Sequence, residues 1–248
     1  MTIENHQDRQ LSKNSIDLFI LRFDLQPTKE EDYQAILTDL SKYFDRVEKR
    51  TQTNFEVNFT SDKSEVNKVE VFDHVLIKEQ PAFSMTFSVS QHAFWFETKN
   101  YTDRRTYSQI ITELIKSATA KQINLVAKRI GMRFINNFKC EKVKNVAKIF
   151  NSSISKSIVL RASQPFVSRV ICQEEFTYDL HKVRVQFGIP NKFYPSALNN
   201  YDLLLDIDSY DSTLQPIDNW DKVINELNHS AYNAFVNNIN PGFLTSLK

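Results

Sequence analysis

FSMTFSVSQHAFWFETKNYTDRRTYSQIITELIKSATA, residues 83–120, decides how this chain folds. Phe83, Met85, Phe87 and Val89 alternate with polar residues, the period of two expected of a half-buried strand. Ala93 to Thr98 is a second run, and the polar Ser90 to His92 between them reads as a hairpin turn. Beyond it, Tyr107, Ile110, Ile111, Leu114, Ile115 and Ala118 recur at the spacing of one helical face. Two paired strands followed by an amphipathic helix imply an antiparallel sheet covered by helices on one face, which makes the fold class α+β.

The same logic extends outward. Ile16 to Leu25 is a dense apolar run that reads as a buried strand stopped by Pro27. Thr28 with Glu31 three residues later has the form of a capping box, opening a helix with apolar positions Tyr33, Ile36, Leu37, Leu40, Phe44 and Val47. Phe55, Val57 and Phe59, then Val69 and Val71, then Val75 and Ile77 are further β-like runs. Ile123 to Phe138 reads as a long strand, after which apolar residues thin out from Lys139 to Ser157. Strands are expected at Ser168 to Tyr178, His181 to Ile189 and Tyr201 to Tyr210. Asp218 is the expected N-cap of a final helix with the stripe Trp220, Val223, Ile224, Leu227, Ala231, Phe235 and Ile239, ended by Pro241 and Gly242. The expected organisation is a flexible tail over 1–14, an N-terminal α+β half over 15–138, a connection over 139–157 and a C-terminal α+β half over 158–248, each half with its own antiparallel sheet. Phe94 to Ala118 overlays on Leu204 to Ala231, so the halves are either similar to one another or two unrelated pieces.

Composition excludes several function classes. The 31 Lys and Arg against 30 Asp and Glu leave a net charge of +1, so no whole-chain field attracts nucleic acid or anionic lipid. Gly131, Gly188 and Gly242 are the three glycines present, too few for a phosphate loop or dinucleotide fingerprint. Cys140 and Cys172 have no metal-ligand spacing, and a reducing cytoplasm is the simplest home for them. The first fourteen residues lack a signal-like apolar stretch, and no run of about 18 apolar residues occurs, so neither export nor a membrane partner is expected. No cofactor is expected.

Two stretches go beyond generic patterning. Arg129-Ile130-Gly131-Met132-Arg133-Phe134-Ile135-Asn136 is one; Leu203-Leu204-Leu205-Asp206-Ile207-Asp208 followed by Leu227-Asn228-His229-Ser230-Ala231-Tyr232 and Phe235 is the other. Together with Ile20-Leu21-Arg22-Phe23-Asp24 and Tyr101, they resemble the signatures of a sporadically distributed bacterial family of uncharacterised function, over roughly residues 12 to 240. The resemblance brings no reaction chemistry. Its patchy distribution implies an accessory system such as phage defence or a toxin–antitoxin pair.

The candidate site residues follow from charge and aromatic placement. Lys121, Lys128, Arg129, Arg133, Lys139, Lys142, Lys144 and Lys148 face a single acidic residue, Glu141, within their own segment. From Asp202 to Glu226 the sign reverses, with Asp206, Asp208, Asp211, Asp218 and Asp221. Arg129 and Arg133 lie on one strand face, where their guanidinium forks suit an anion or a carboxylate of the acidic segment. Gly131 between them marks a bulge or a close backbone approach. Asp206 and Asp208 share a strand face and are weak metal candidates, without the companions a nuclease needs. His74 and His92 are the histidines best suited to acid–base work, but no catalytic triad can be assembled and no catalytic residue is assigned. Phe94, Trp95 and Phe96 are consecutive aromatics in a strand, where at least one side chain must leave the core. The expected function is a non-catalytic module binding a protein partner, a second copy as a homodimer included. Nucleic-acid binding or RNA processing through residues 121–148 is the alternative.

Overall fold

The computed structural model describes residues 15–59, 64–80, 83–178 and 181–247, without the side chains of 51–72, 80 and 83. The expected tail and the side chains of Phe55, Val57, Phe59, Val69, Val71 and Phe83 therefore lie outside the described residues. The chain forms β1 (Ile16–Leu25), α1 (Glu30–Ser41), β2 (Arg46–Phe59), β3 (Ser64–Gln80), β4 (Phe83–Val89), β5 (Ala93–Thr98), α2 (Arg105–Ala120) and β6 (Val126–Phe138). It continues through α3 (Val146–Ile149), α4 (Ser152–Ala162), β7 (Val170–Tyr178), β8 (His181–Ile189), β9 (Leu203–Asp211), β10 (Gln215–Pro216), α5 (Trp220–Asn238) and α6 (Pro241–Leu247).

The α+β class holds, but the strands form one sheet instead of one per half. Its order is β2-β3-β4-β5-β1-β6-β9-β8-β7, with β10 added to β6, and its pairings are antiparallel. The join is β1 against β6, where Phe19, Leu21 and Phe23 stand opposite Phe134, Met132 and Ile130. Both strands are apolar on this face, so separating them would expose two apolar rows to water. Connectivity repeats across the join: β1, a helix, a meander returning to β5 beside β1, then α2; β6, helices, a meander returning to β9 beside β6, then α5. The overlaid stretches fall on β5–α2 and β9–α5.

The core lies on the face that α2 and α5 cover. Phe19 is fully buried, with ring centroids 4.2 Å from Tyr101, 5.4 Å from Tyr107 of α2 and 5.1 Å from Phe134. Burying each such ring stabilises the fold by about 1.5–3 kcal/mol. The α5 stripe of Trp220, Val223, Ile224, Leu227, Ala231 and Phe235 is buried as its periodicity requires, against β6, β8 and β9.

Local details depart from expectation. Thr28 does not cap α1; its hydroxyl and amide donate to the Gln91 carbonyl at 3.1 and 3.0 Å, tying the helix entry to the β4–β5 turn. Val69 to Ile77 belongs to one long strand, β3. The expected connection turns helical, and α4 buries Ile154, Ile158 and Ala162, with the Asn151 side chain capping it from the Ile154 amide at 2.9 Å. Asp218 sits in a 3-10 turn before α5, with no side-chain cap, and Pro241 opens α6 instead of closing α5.

Candidate functional site

On the sheet face away from α2 and α5, side chains at alternate positions build a charge ladder across six strands. Arg22 on β1 lies 5.6 Å from the Trp95 ring on β5 and donates to Asp24 at 2.6 Å. Asp24 is 3.7 Å from Arg129 on β6, whose Nη2 donates to both carboxylate oxygens of Asp208 on β9 at 3.0 Å. Arg133 makes a two-pronged contact with Asp206, at 2.9 and 2.6 Å. Further out, Arg184 of β8 donates to Glu175 of β7, and Tyr210 of β9 donates to the same carboxylate at 3.1 Å. Arg129 and Arg133 are thus satisfied within the chain, and the basic and acidic segments meet along the β6–β9 pairing, with Lys139 on Asp202 at 2.8 Å as a third tie.

Gly131 belongs to this ladder, and neither expected reason for it applies. The register through Arg22 and Gly131 is unbroken, so there is no bulge there, and what approaches is a side chain. Arg129 must run along its own strand to reach Asp208, which stands opposite Arg133. Its guanidinium crosses Gly131 so closely that a Cβ there would sit 2.9 Å from Cζ and both terminal nitrogens. Tyr210, opposite Gly131, covers the guanidinium at 4.7 Å. Burial pushes the Asp208 carboxyl above its ordinary range, against the opposing pull of Arg129, Arg133 and Arg184.

The carboxylate pair is engaged by arginine, so the oxygens a cation would need are taken. Among the described residues, no three His, Cys, Asp or Glu side chains are grouped to hold a metal ion. His92 sits exposed in its turn, whereas His74 is packed 5.9 Å from the Tyr33 ring with its Nδ1 buried. Burial lowers the His74 pKa. A Ser–His contact does occur, His181 Nε2 to Ser230 Oγ at 2.7 Å. Asp211, opposite His181 in the sheet, does not complete it, because its oxygens accept from the Thr213 amide and the Gln215 side chain.

The aromatic surface lies elsewhere than Phe94 to Phe96. Phe94 and Phe96 are buried, Phe94 against the Phe87 ring of β4 and Phe96 against Tyr107 of α2, and Trp95 is part of the ladder. Of six exposed large hydrophobic side chains among the described residues, four stand at the sheet end where β6 and β8 finish and β7 and β9 begin: Leu160, Phe166, Phe193 and Tyr194. They project from the end of α4, its exit loop and the β8–β9 loop, and hydrogen bonds lock the two loops together. The buried Asn191 side chain donates to the Ser168 and Ser196 carbonyls at 2.6 and 2.8 Å and accepts from the Phe193 amide at 3.0 Å. The Leu198 amide donates to Val167 at 2.8 Å, and the Ser168 hydroxyl to Pro195 at 2.7 Å. Pattern reading missed these aromatics because an exposed loop has no period.

Lys142, Lys144 and Lys148 stand at the same end, exposed and with no ion pair among the described residues. Replacing all three by alanine is expected to move the melting temperature by no more than about 2 °C, since exposed lysines without partners contribute little. A larger drop in thermal unfolding followed by circular dichroism would show that they serve the fold. No described helix is long and apolar enough to cross a membrane. No protein-family model, curated protein or solved structure matches this chain.

Proposed function

We propose that the protein is a non-catalytic binding module of a bacterial accessory system, and that a protein partner docks on the loop end of its second half. One observation carries the reading: Phe166, Phe193 and Tyr194 are exposed on loops held together by buried polar bonds, with Leu160 exposed near the end of α4 beside them. Exposed aromatics cost solubility, and fixing them in place removes the ordering entropy a partner would otherwise have to meet. A cytoplasmic setting fits the two unpaired thiols, one of them buried. The ladder residues serve the fold in this reading, and the partner meets the loops.

The test is co-purification from the native host with a tagged chain, comparing the wild type with the triple variant Phe166→Ser, Phe193→Ser, Tyr194→Ser. The expected result is a protein recovered with the wild type, at least about tenfold depleted with the variant, and unaffected by nuclease treatment. Equal recovery would sink the reading. Nucleic acid is the second reading, favoured by the unpaired Lys142, Lys144 and Lys148. It takes first place if a labelled oligonucleotide binds with a steep salt dependence whose log–log slope falls by about one for each of these lysines neutralised.

A further inference from the structure

We infer, on the reading that a protein docks at this loop end, that what it presents is an acidic segment carrying apolar side chains. Phe166 is the first reason. Its backbone is left-handed, with φ 65°, and its side chain is 93% exposed. A bulky residue in that region costs about 1 kcal/mol or more against glycine, and here no burial returns it. Neither the backbone nor the core needs a phenylalanine at this position, so its use lies outside the chain.

The charge around the apolar side chains supplies the second reason. Arg161 follows Leu160, Arg169 lies 4.6 Å from the Tyr194 ring, and Lys192 precedes Phe193. Lys192 is 64% exposed and reaches Asp202 at 3.6 Å, a carboxylate it shares with Lys139. Arg161 and Arg169 have no carboxylate partner among the described residues. A neutral or basic partner seated on the aromatics would strip water from these cations and return no counter-charge, whereas Asp and Glu beside an apolar anchor would pair with them. A single-stranded nucleic acid would also supply charge, but it stacks its bases on open ring faces. Here a guanidinium covers one face of Tyr194, and Leu160 offers no ring.

The experiment is a selection of displayed random dodecapeptides on the immobilised full chain, run in parallel on the Phe166→Ser, Tyr194→Ser variant. Both positions are exposed, so the variant keeps the wild-type circular dichroism and melting. Enriched peptides are then synthesised and titrated by fluorescence anisotropy. Expected are peptides enriched on the wild type alone that combine Asp or Glu with Phe, Trp or Leu. Their affinity should fall at least about tenfold with Phe166→Ser and about tenfold with Arg161→Glu plus Arg169→Glu. Neutral or basic peptides that still depend on Phe166 would overturn the acidic chemistry and leave protein docking standing. Self-association that vanishes in the variant would do the same, with a second copy as the occupant. No variant-dependent enrichment, or tight binding of a labelled single-stranded oligonucleotide that is lost with Phe166→Ser, would overturn both.

Discussion

Leu227→Asp is expected to abolish the folded state of the whole chain, not of its second half. Leu227 is 1% exposed in the middle of the α5 stripe, and α5 packs on β6, β8 and β9. An unpaired carboxylate there costs several kcal/mol, a large share of the roughly 5–15 kcal/mol that holds a domain together. The loss spreads because β6, which α5 covers, is hydrogen-bonded to β1 at the centre of the sheet. Trp95 on β5 and Trp220 on α5 report from opposite sides of that join. Urea unfolding of Trp95→Phe and Trp220→Phe variants should give one midpoint, and Leu227→Asp should leave neither signal native, while Leu227→Met should cost less than about 1.5 kcal/mol. A soluble Leu227→Asp chain with unchanged melting would show that the stripe is misread. A chain that kept only the Trp95 signal would show that the β1–β6 join does not couple the halves.

The elements that were legible in the sequence are those whose burial repeats. The stripes of α2 and α5 and the alternation of Met85, Phe87 and Val89 in β4 follow from one face meeting a core and are found where the period puts them. The expected α1 stripe, by contrast, stops at Leu40: the helix ends at Ser41, and Val47 stands 42% exposed on β2. Signals that rest on one local hydrogen bond fared worse. Thr28 had a competing acceptor in Gln91, brought close only when β1 and β5 pair, and no sequence window spans that distance. The helix α4 was hidden because four serines dilute its apolar pattern: Ser155 shares the buried side with Ile154, Ile158 and Ala162, while the apolar Leu160 stands exposed. Joining the strands into one sheet also required knowing that β1 and β6 are neighbours, which their apolar character permits but does not specify.

At the candidate site, the sign pattern was informative and its meaning was split. Opposite charge in residues 121–148 and 202–226 reflects pairing inside the chain for Arg129, Arg133 and Lys139, because β6 and β9 are adjacent strands. Lys142, Lys144 and Lys148 lie past the end of β6, beyond the reach of that acidic strand. Consecutive aromatics misled for a related reason. Phe94 and Phe96 face the core together, so the residue sent outward is Trp95, and an arginine covers it there. The exposed Phe166 and the Phe193–Tyr194 pair lie far apart in sequence, in stretches with no apolar period, and their loops are held together by the Asn191 and Ser168 bonds.

Gly131 and Arg129 should behave as one unit in a double-mutant cycle. Arg129→Ala removes the bidentate partner of Asp208, an 18% exposed side chain, and should cost about 2–3 kcal/mol in urea unfolding at pH 7. Gly131→Ala places a methyl group on the path of the Arg129 guanidinium, which can swing away but then leaves both Asp208 and the Tyr210 ring. Its cost should therefore approach, and not exceed, that of Arg129→Ala. In an Arg129→Ala background the conflict is gone, and Gly131→Ala should be neutral or stabilise by about 0.5–1 kcal/mol, as alanine generally does over glycine inside a strand. The carboxyl supplies an independent readout. Asp208 already titrates above its ordinary range, and losing Arg129, its largest favourable neighbour, should raise it further. A raised folded pKa means that the native state binds the proton more tightly than the unfolded chain does. Stability in Arg129→Ala should therefore fall as pH rises from the unfolded carboxylate range through the raised value, and more steeply than in the wild type. Carbon-detected titration of the Asp208 carboxyl together with urea midpoints between pH 4 and pH 8 measures both. Additive costs for the two substitutions, or an Asp208 titration unmoved by Arg129→Ala, would mean that Gly131 is there for another reason and that the guanidinium does not hold this carboxylate.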